Sequence, residues 1–157
     1  MTEVAVRPAT LDDVDFLAEV MFESEFGGTP DLPSDADDSW LGGARAATRE
    51  QVLGKVENSS TYVTVDGEER VGRLRLVRTP GRIELAGIQV VPRHRNAGIG
   101  TAVISAVLAE AAATGAVIEL QVSKNNPAAE RLYTRLGFRR GRLEGDDYWM
   151  SAEADGN

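Results

Sequence analysis

Ile83–Pro92 (IELAGIQVVP), Arg93–Gly100 (RHRNAGIG) and Thr101–Leu108 (TAVISAVL) together decide the fold. An apolar, strand-like run stops at Pro92. A short basic turn follows, and Gly98 and Gly100 open a long Ala-rich helix. Such a turn has free backbone N–H groups, little side-chain bulk over them, and the positive end of a helix dipole beneath. These features make an anion site suited to phosphate. No Asp or Glu lies between Glu84 and Glu110, and Arg93 and Arg95 sit in the turn itself. In a chain of net charge -8 this is a cationic island.

The rest of the composition bounds the answer. At 157 residues, 42% hydrophobic and 27% charged, the chain reads as one domain, 1–157, large enough to bury a core. Acidic balance argues against a nucleic-acid partner and is compatible with a cationic substrate. There are no cysteines, which excludes disulfides, thiolate metal sites and a cysteine nucleophile. One histidine without a carboxylate cluster makes no metal site, so no metal is expected. The first residues carry no signal-peptide pattern, and the uncharged run from Asn96 to Ala109 is too short to cross a bilayer. The expectation is a cytoplasmic protein with no membrane partner.

In chain order, Val4 and Val6 alternate with Glu3, Ala5 and Arg7 as a strand until Pro8. Thr10 can cap a helix whose stripe is Leu11, Val14, Leu17, Ala18 and Met21, with Gly27–Pro30 as its stop. Asp31–Asp38 is expected as a loop, and a second helix over Ala44–Val56 with Ala47, Val52 and Val56 buried. Thr61–Val65, Val71–Val77 and Arg82–Val90 predict an antiparallel meander, with Arg73 and Arg75 on a wet face. After the Gly98 helix come a strand over Val117–Val122, a helix from Asn126–Pro127 to Leu136, and a hairpin around Glu144-Gly145.

Two familiar phosphate motifs fail here. Gly98-Ile99-Gly100 lacks the third glycine of a dinucleotide fingerprint, and its strand does not open the domain. No lysine lies in the turn, so it is no Walker loop. What matches is Arg95-Asn96-Ala97-Gly98-Ile99-Gly100 after Val90-Val91-Pro92, followed downstream by Asn126-Pro127-Ala128-Ala129-Glu130-Arg131-Leu132-Tyr133 and Gly137-Phe138. Both blocks, in this order, resemble the GNAT superfamily of acyl-CoA-dependent N-acetyltransferases. The resemblance implies an α/β (α+β) fold, a mixed, mostly antiparallel central sheet flanked by about four helices. It implies acetyl-CoA as cosubstrate and a small-molecule or peptide amine as acceptor. The coenzyme would lie in the splay between strands ending near Val90 and Val122. Proteins of this superfamily often pair, so a homodimer is an expectation without an assigned surface.

The resemblance also assigns roles. Backbone amides over Arg95, Asn96, Gly98, Ile99, Gly100 and Thr101 would hold the pyrophosphate, with Arg95 and Arg93 adding charge. A backbone N–H near Val90 would polarise the thioester carbonyl. Asn126 would bond the pantetheine arm. Tyr133, seven residues on and on nearly the same helix face, would give a proton to the departing thiolate. From the residues alone, the pair could equally be an N-cap and a core aromatic. Glu84, eleven residues before Arg95, stands where several superfamily members carry a general base. An exposed strand face explains it as well. His94 reads as a surface residue of the phosphate turn. Phe22, Glu23, Phe26 and the acidic loop are candidate walls for the acceptor. A rival of another class is a non-catalytic acyl-CoA-binding or regulatory module on the same fold.

Overall fold

The computed structural model describes residues 3–27, 35–95 and 97–153, and of 35–39 the backbone alone. Seven strands and four helices follow one another as β1 (Val4–Pro8), α1 (Val14–Phe26), α2 (Asp35–Val52), β2 (Ser59–Asp66), β3 (Glu69–Thr79), β4 (Arg82–Val90), α3 (Ile99–Thr114), β5 (Val117–Ser123), α4 (Pro127–Arg135), β6 (Arg139–Glu144) and β7 (Asp147–Glu153). Hydrogen bonding orders the sheet β1-β2-β3-β4-β5-β7-β6. The mixed sheet with four helices is the expected fold class.

The chain divides into two compact units. One comprises residues 1–75 and 87–100, the other 76–86 and 101–157. In the first, β1 pairs antiparallel with β2 from Val4–Asp66 to Pro8–Tyr62. The two-residue turn Gly67-Glu68 leads directly into β3, which makes the β2–β3 hairpin antiparallel. Helix α1 buries Val14, Leu17, Ala18, Val20 and Phe22, and ends at Gly27 in the left-handed conformation (φ 77). Leu11, expected in the stripe, is 51% exposed, because it lies in a preceding 3-10 turn with a different side-chain period.

Two expectations are corrected here. Helix α2 starts at Asp35, within the stretch read as a loop, and ends at Val52. Leu41, 1% exposed, packs with Ala18 and Phe22. That burial carries the helix through Gly42-Gly43, against their low propensity. Among its described side chains the buried ones are Leu41 and Thr48, whereas Ala47 is exposed and Val52 and Val56 are half-buried. Residues 31–34 lie outside those described. The second correction concerns β3. Arg73 is 5% exposed, so the face predicted to be wet is covered at that position.

In the second unit, β4 and β5 run parallel from Arg82–Val117 to Leu85–Leu120. Strand β7 pairs antiparallel with β5 along its whole length and with β6 on its other side. The core draws on Ile83 and Leu85, Val103, Ile104, Val107 and Ala111 of α3, Ile118 and Leu120, and Met150 and Ala152. Alternation on the strands and helical spacing on α3 place all of these inward.

Candidate active site

The basic turn leaves β4 at Val90. A 3-10 turn, Pro92–His94, follows, with His94 N–H donating to Val91 O (3.0 Å) and Arg95 N–H to Pro92 O (3.2 Å). The Arg95 amide is therefore spent inside the turn. Its side chain folds back, Nε donating to Val90 O at 3.2 Å, with the rest of the guanidinium exposed. Gly98 has φ +80, a left-handed conformation that favours glycine. Ile99 is 2% exposed and anchors the first turn of α3. A Cβ at Gly98 or Gly100 would meet nothing within 4 Å, so the backbone there is open to close approach. The first amides of a helix have no intrahelical acceptor. The turn thus supplies a chain of donors from Gly98 onward with Arg95 beside it, as a pyrophosphate would need. Asn96 lies outside the described residues.

Glu69, at the start of β3, was not singled out from sequence. Its Oε2 accepts from Arg93 Nη2 (3.0 Å) and lies 2.9 Å from His94 Nε2. These hydrogen bonds, His94 first, hold the Glu69 carboxyl below its usual range. His94 is half-buried by this contact and pins the turn to β3.

Val91 N–H donates to Val71 O at 2.8 Å. Amides alternate in direction along a strand, so the Val90 N–H points to the opposite edge of β4. The β4–β5 ladder ends at Leu85–Leu120, before Val90.

In the second unit, Glu84 is partly exposed on β4 and stands beside Glu119 in the parallel register. Arg82 Nη2 lies 2.8 Å from Glu119 Oε2 and 3.8 Å from Glu84 Oε1. Helix α4 starts at Asn126, whose Oδ1 accepts from Ala129 N–H at 3.2 Å. This is the N-cap, with Pro127 in the first turn. The cap occupies Oδ1 and leaves the amide NH2 group available. Tyr133 is 9% exposed, and its ring meets Phe138 edge-on at 5.7 Å. Burial pushes the phenol up from its ordinary value, so it is a proton donor at neutral pH. Of the candidate acceptor walls, Phe22 is a core residue at 5% exposure. Phe26 is 56% exposed and stacks 4.6 Å from Phe22 and 5.3 Å from Trp40.

A model of the "Acetyltransferase (GNAT) family" matches residues 18–138. The chain belongs to the GNAT acetyltransferase family. Solved structures of the same fold span nearly the whole chain. PaiA N-acetyltransferase from Thermoplasma acidophilum, in complex with coenzyme A, matches with TM-score 0.73 at 14% identity, covering 96% of this chain and 99% of that one. An acetyltransferase from Thermus thermophilus matches with TM-score 0.75 at 20% identity, covering 96% of each chain. A chimera of spermidine N-acetyltransferase SpeG from Vibrio cholerae and hSSAT matches with TM-score 0.72 at 17% identity, covering 97% of this chain and 96% of that one. Among the described residues of this GNAT protein, no helix is long and apolar enough to cross a membrane.

Proposed function

We propose that this GNAT protein, acting as a single acetyltransferase domain, transfers the acetyl group of acetyl-CoA to a primary amine by direct attack. The observation that carries the reading is the turn at Gly98. A left-handed glycine opens α3 onto free space, with Arg95 alongside, in a member of an acetyltransferase family. The amides of Gly98, Ile99, Gly100 and Thr101 take the pyrophosphate. Asn126 donates its amide to the pantetheine arm while its Oδ1 keeps the cap.

The amine must reach the thioester uncharged. Glu84, directly or through a water, accepts a proton from the ammonium. The amine nitrogen then bonds the carbonyl carbon, and Val90 N–H stabilises the oxygen as negative charge gathers on it. The C–S bond breaks, the thiolate takes the proton of the Tyr133 hydroxyl, and the proton that the nitrogen sheds in becoming an amide is returned to the tyrosinate through water. The absence of cysteine agrees with attack in one ternary complex without an acyl-cysteine.

The test is thiol release from acetyl-CoA across a broad amine panel, with the product checked by mass. Amine-dependent release with an acetylated product supports the proposal. Coenzyme binding without turnover across the panel would leave the acyl-CoA-binding module in its place.

A further inference from the structure

One face of β3 carries two cations in succession. Arg73 and Arg75 are two residues apart on β3 and so project to the same side. Arg73 is 5% exposed, yet its only described hydrogen bond is from Nη1 to Gln89 Oε1 at 2.9 Å. Its Nε is fully enclosed and has no hydrogen-bond partner among the described residues. Arg75 is half-buried and donates from Nε to Ser59 Oγ at 3.0 Å. Among the described residues neither guanidinium meets a carboxylate. A bare strand makes room for the pair. A Cβ at Gly87 would collide with Arg73 Nη1 and lie 3.7 Å from Arg75 Cβ. On the same face Thr61 donates its hydroxyl to Gln51 of α2 at 3.2 Å. One turn earlier on α2, Thr48 is 0% exposed, and its Oγ1 also has no partner among the described residues.

Enclosing a guanidinium without an anion is strongly unfavourable. Desolvation, with the Arg75 charge adding to it, pulls Arg73 down to about 10, which still leaves it cationic at neutral pH. Two adjacent cations with spare N–H groups are a fork for a carboxylate. The face runs past Gln89, one residue before Val90. An acceptor delivering its amine to a carbonyl held at Val90 would lay its remaining atoms along it.

We propose that Arg73 and Arg75 bind a carboxylate of the acceptor, which makes the acceptor an amino acid or a peptide with a free carboxylate and not a polyamine. This rests on the acetyl-transfer reading above. The two cations repel an all-cationic acceptor at this face and reward one that carries its own anion.

The test uses matched probes: glycine, alanine, glutamate and phenylalanine, their methyl esters, and spermidine as the cationic comparator. Each is read by KM in thiol release at saturating acetyl-CoA, and by the shift in unfolding midpoint with and without the coenzyme. At least one free acid should show a KM tenfold or more below that of its ester and raise the midpoint where the ester does not. The KM ratio should collapse towards one in Arg75→Gln and Arg73→Met. It should also collapse in Gly87→Ala, where the added methyl displaces the Arg73 guanidinium. Arg73→Met should fold, because an apolar chain of similar length replaces an unpaired buried charge. Acids and esters behaving alike, spermidine outperforming every acid, a ratio unchanged in all three variants, or no probe raising the midpoint would each overturn the proposal. Failure of acetyl-CoA itself to raise the midpoint would overturn the coenzyme reading instead, and the acids without coenzyme would still report on the arginine pair.

Discussion

Glu84 and Glu119 stand side by side on adjacent parallel strands, and one guanidinium, that of Arg82, lies 2.8 Å from Glu119 and 3.8 Å from Glu84. The closer ion pair commits Glu119 to Arg82 and leaves Glu84 the freer carboxylate. Glu119 is therefore the internal control for a base role. Glu84→Gln should lower kcat/KM for an amine about 100-fold and abolish the acidic limb of its pH profile, since a base works only when ionised. Glu119→Gln should keep the limb. Loss of the limb in both variants, or in neither, would make Glu84 a member of a surface ion cluster.

Tyr133 is the proposed acid, and burial raises its phenol from its ordinary value. Activity requires the protonated form, so Tyr133 should cause no decline in rate from neutral pH up to about 10. No described residue hydrogen-bonds its hydroxyl. Tyr133→Phe should accordingly keep its unfolding midpoint and its coenzyme affinity while kcat falls at least tenfold. Equal kcat in single-turnover measurements would return Tyr133 to its packing role against Phe138.

Stability at low pH should hinge on Asp13. Its carboxylate, 2% exposed, accepts from Arg7 (2.8 and 3.0 Å), from Thr10 N–H (2.8 Å) and from Arg70 (3.2 Å). The Arg7 hydrogen bonds, opposed by burial and helped by Thr10 and Arg70, hold it far below the usual carboxylate range. A depressed pKa in the folded state contributes stability above the ordinary value of about 4, and that contribution fades as pH falls below it. Asp13→Asn should cost about 2 kcal/mol at pH 7. The gap between the variant and wild type in urea unfolding should narrow below pH 4. A gap independent of pH would rule out the charge as its source.

Gly98→Ala tests the turn. A side chain at φ +80 meets open space, so the cost is backbone strain of about 1–2 kcal/mol. Coenzyme A affinity should fall at least tenfold while Gly100→Ala, which has no positive φ, costs less. Equal affinities in wild type and Gly98→Ala would show that the turn's backbone shape does not matter for binding.

The β4–turn–α3 segment was legible because its signals are local. An apolar run, a proline and two glycines before an Ala-rich stretch fix strand, turn and helix without long-range contacts. Asn126-Pro127 and Gly137 marked α4 for the same reason. Where burial by distant residues decides, local pattern failed. The acidic stretch Asp31–Asp38 read as a loop, yet Leu41 packing on Phe22 extends α2 back to Asp35. Alternation along β3 located one polar face correctly but could not show that this face is covered over Arg73. Glu69 reaches His94 across 25 residues, a pairing that spacing does not reveal. The β7 insertion between β5 and β6 likewise had no local signal.

An amide-resolved NMR titration with coenzyme A asks whether the turn opening α3 grips the pyrophosphate. The backbone resonances of Gly98, Ile99, Gly100 and Thr101 should move most and saturate together, with Arg95 Nε shifting alongside. Saturable binding that leaves these amides in place, or no saturable binding at all, would rule out the turn as the pyrophosphate site.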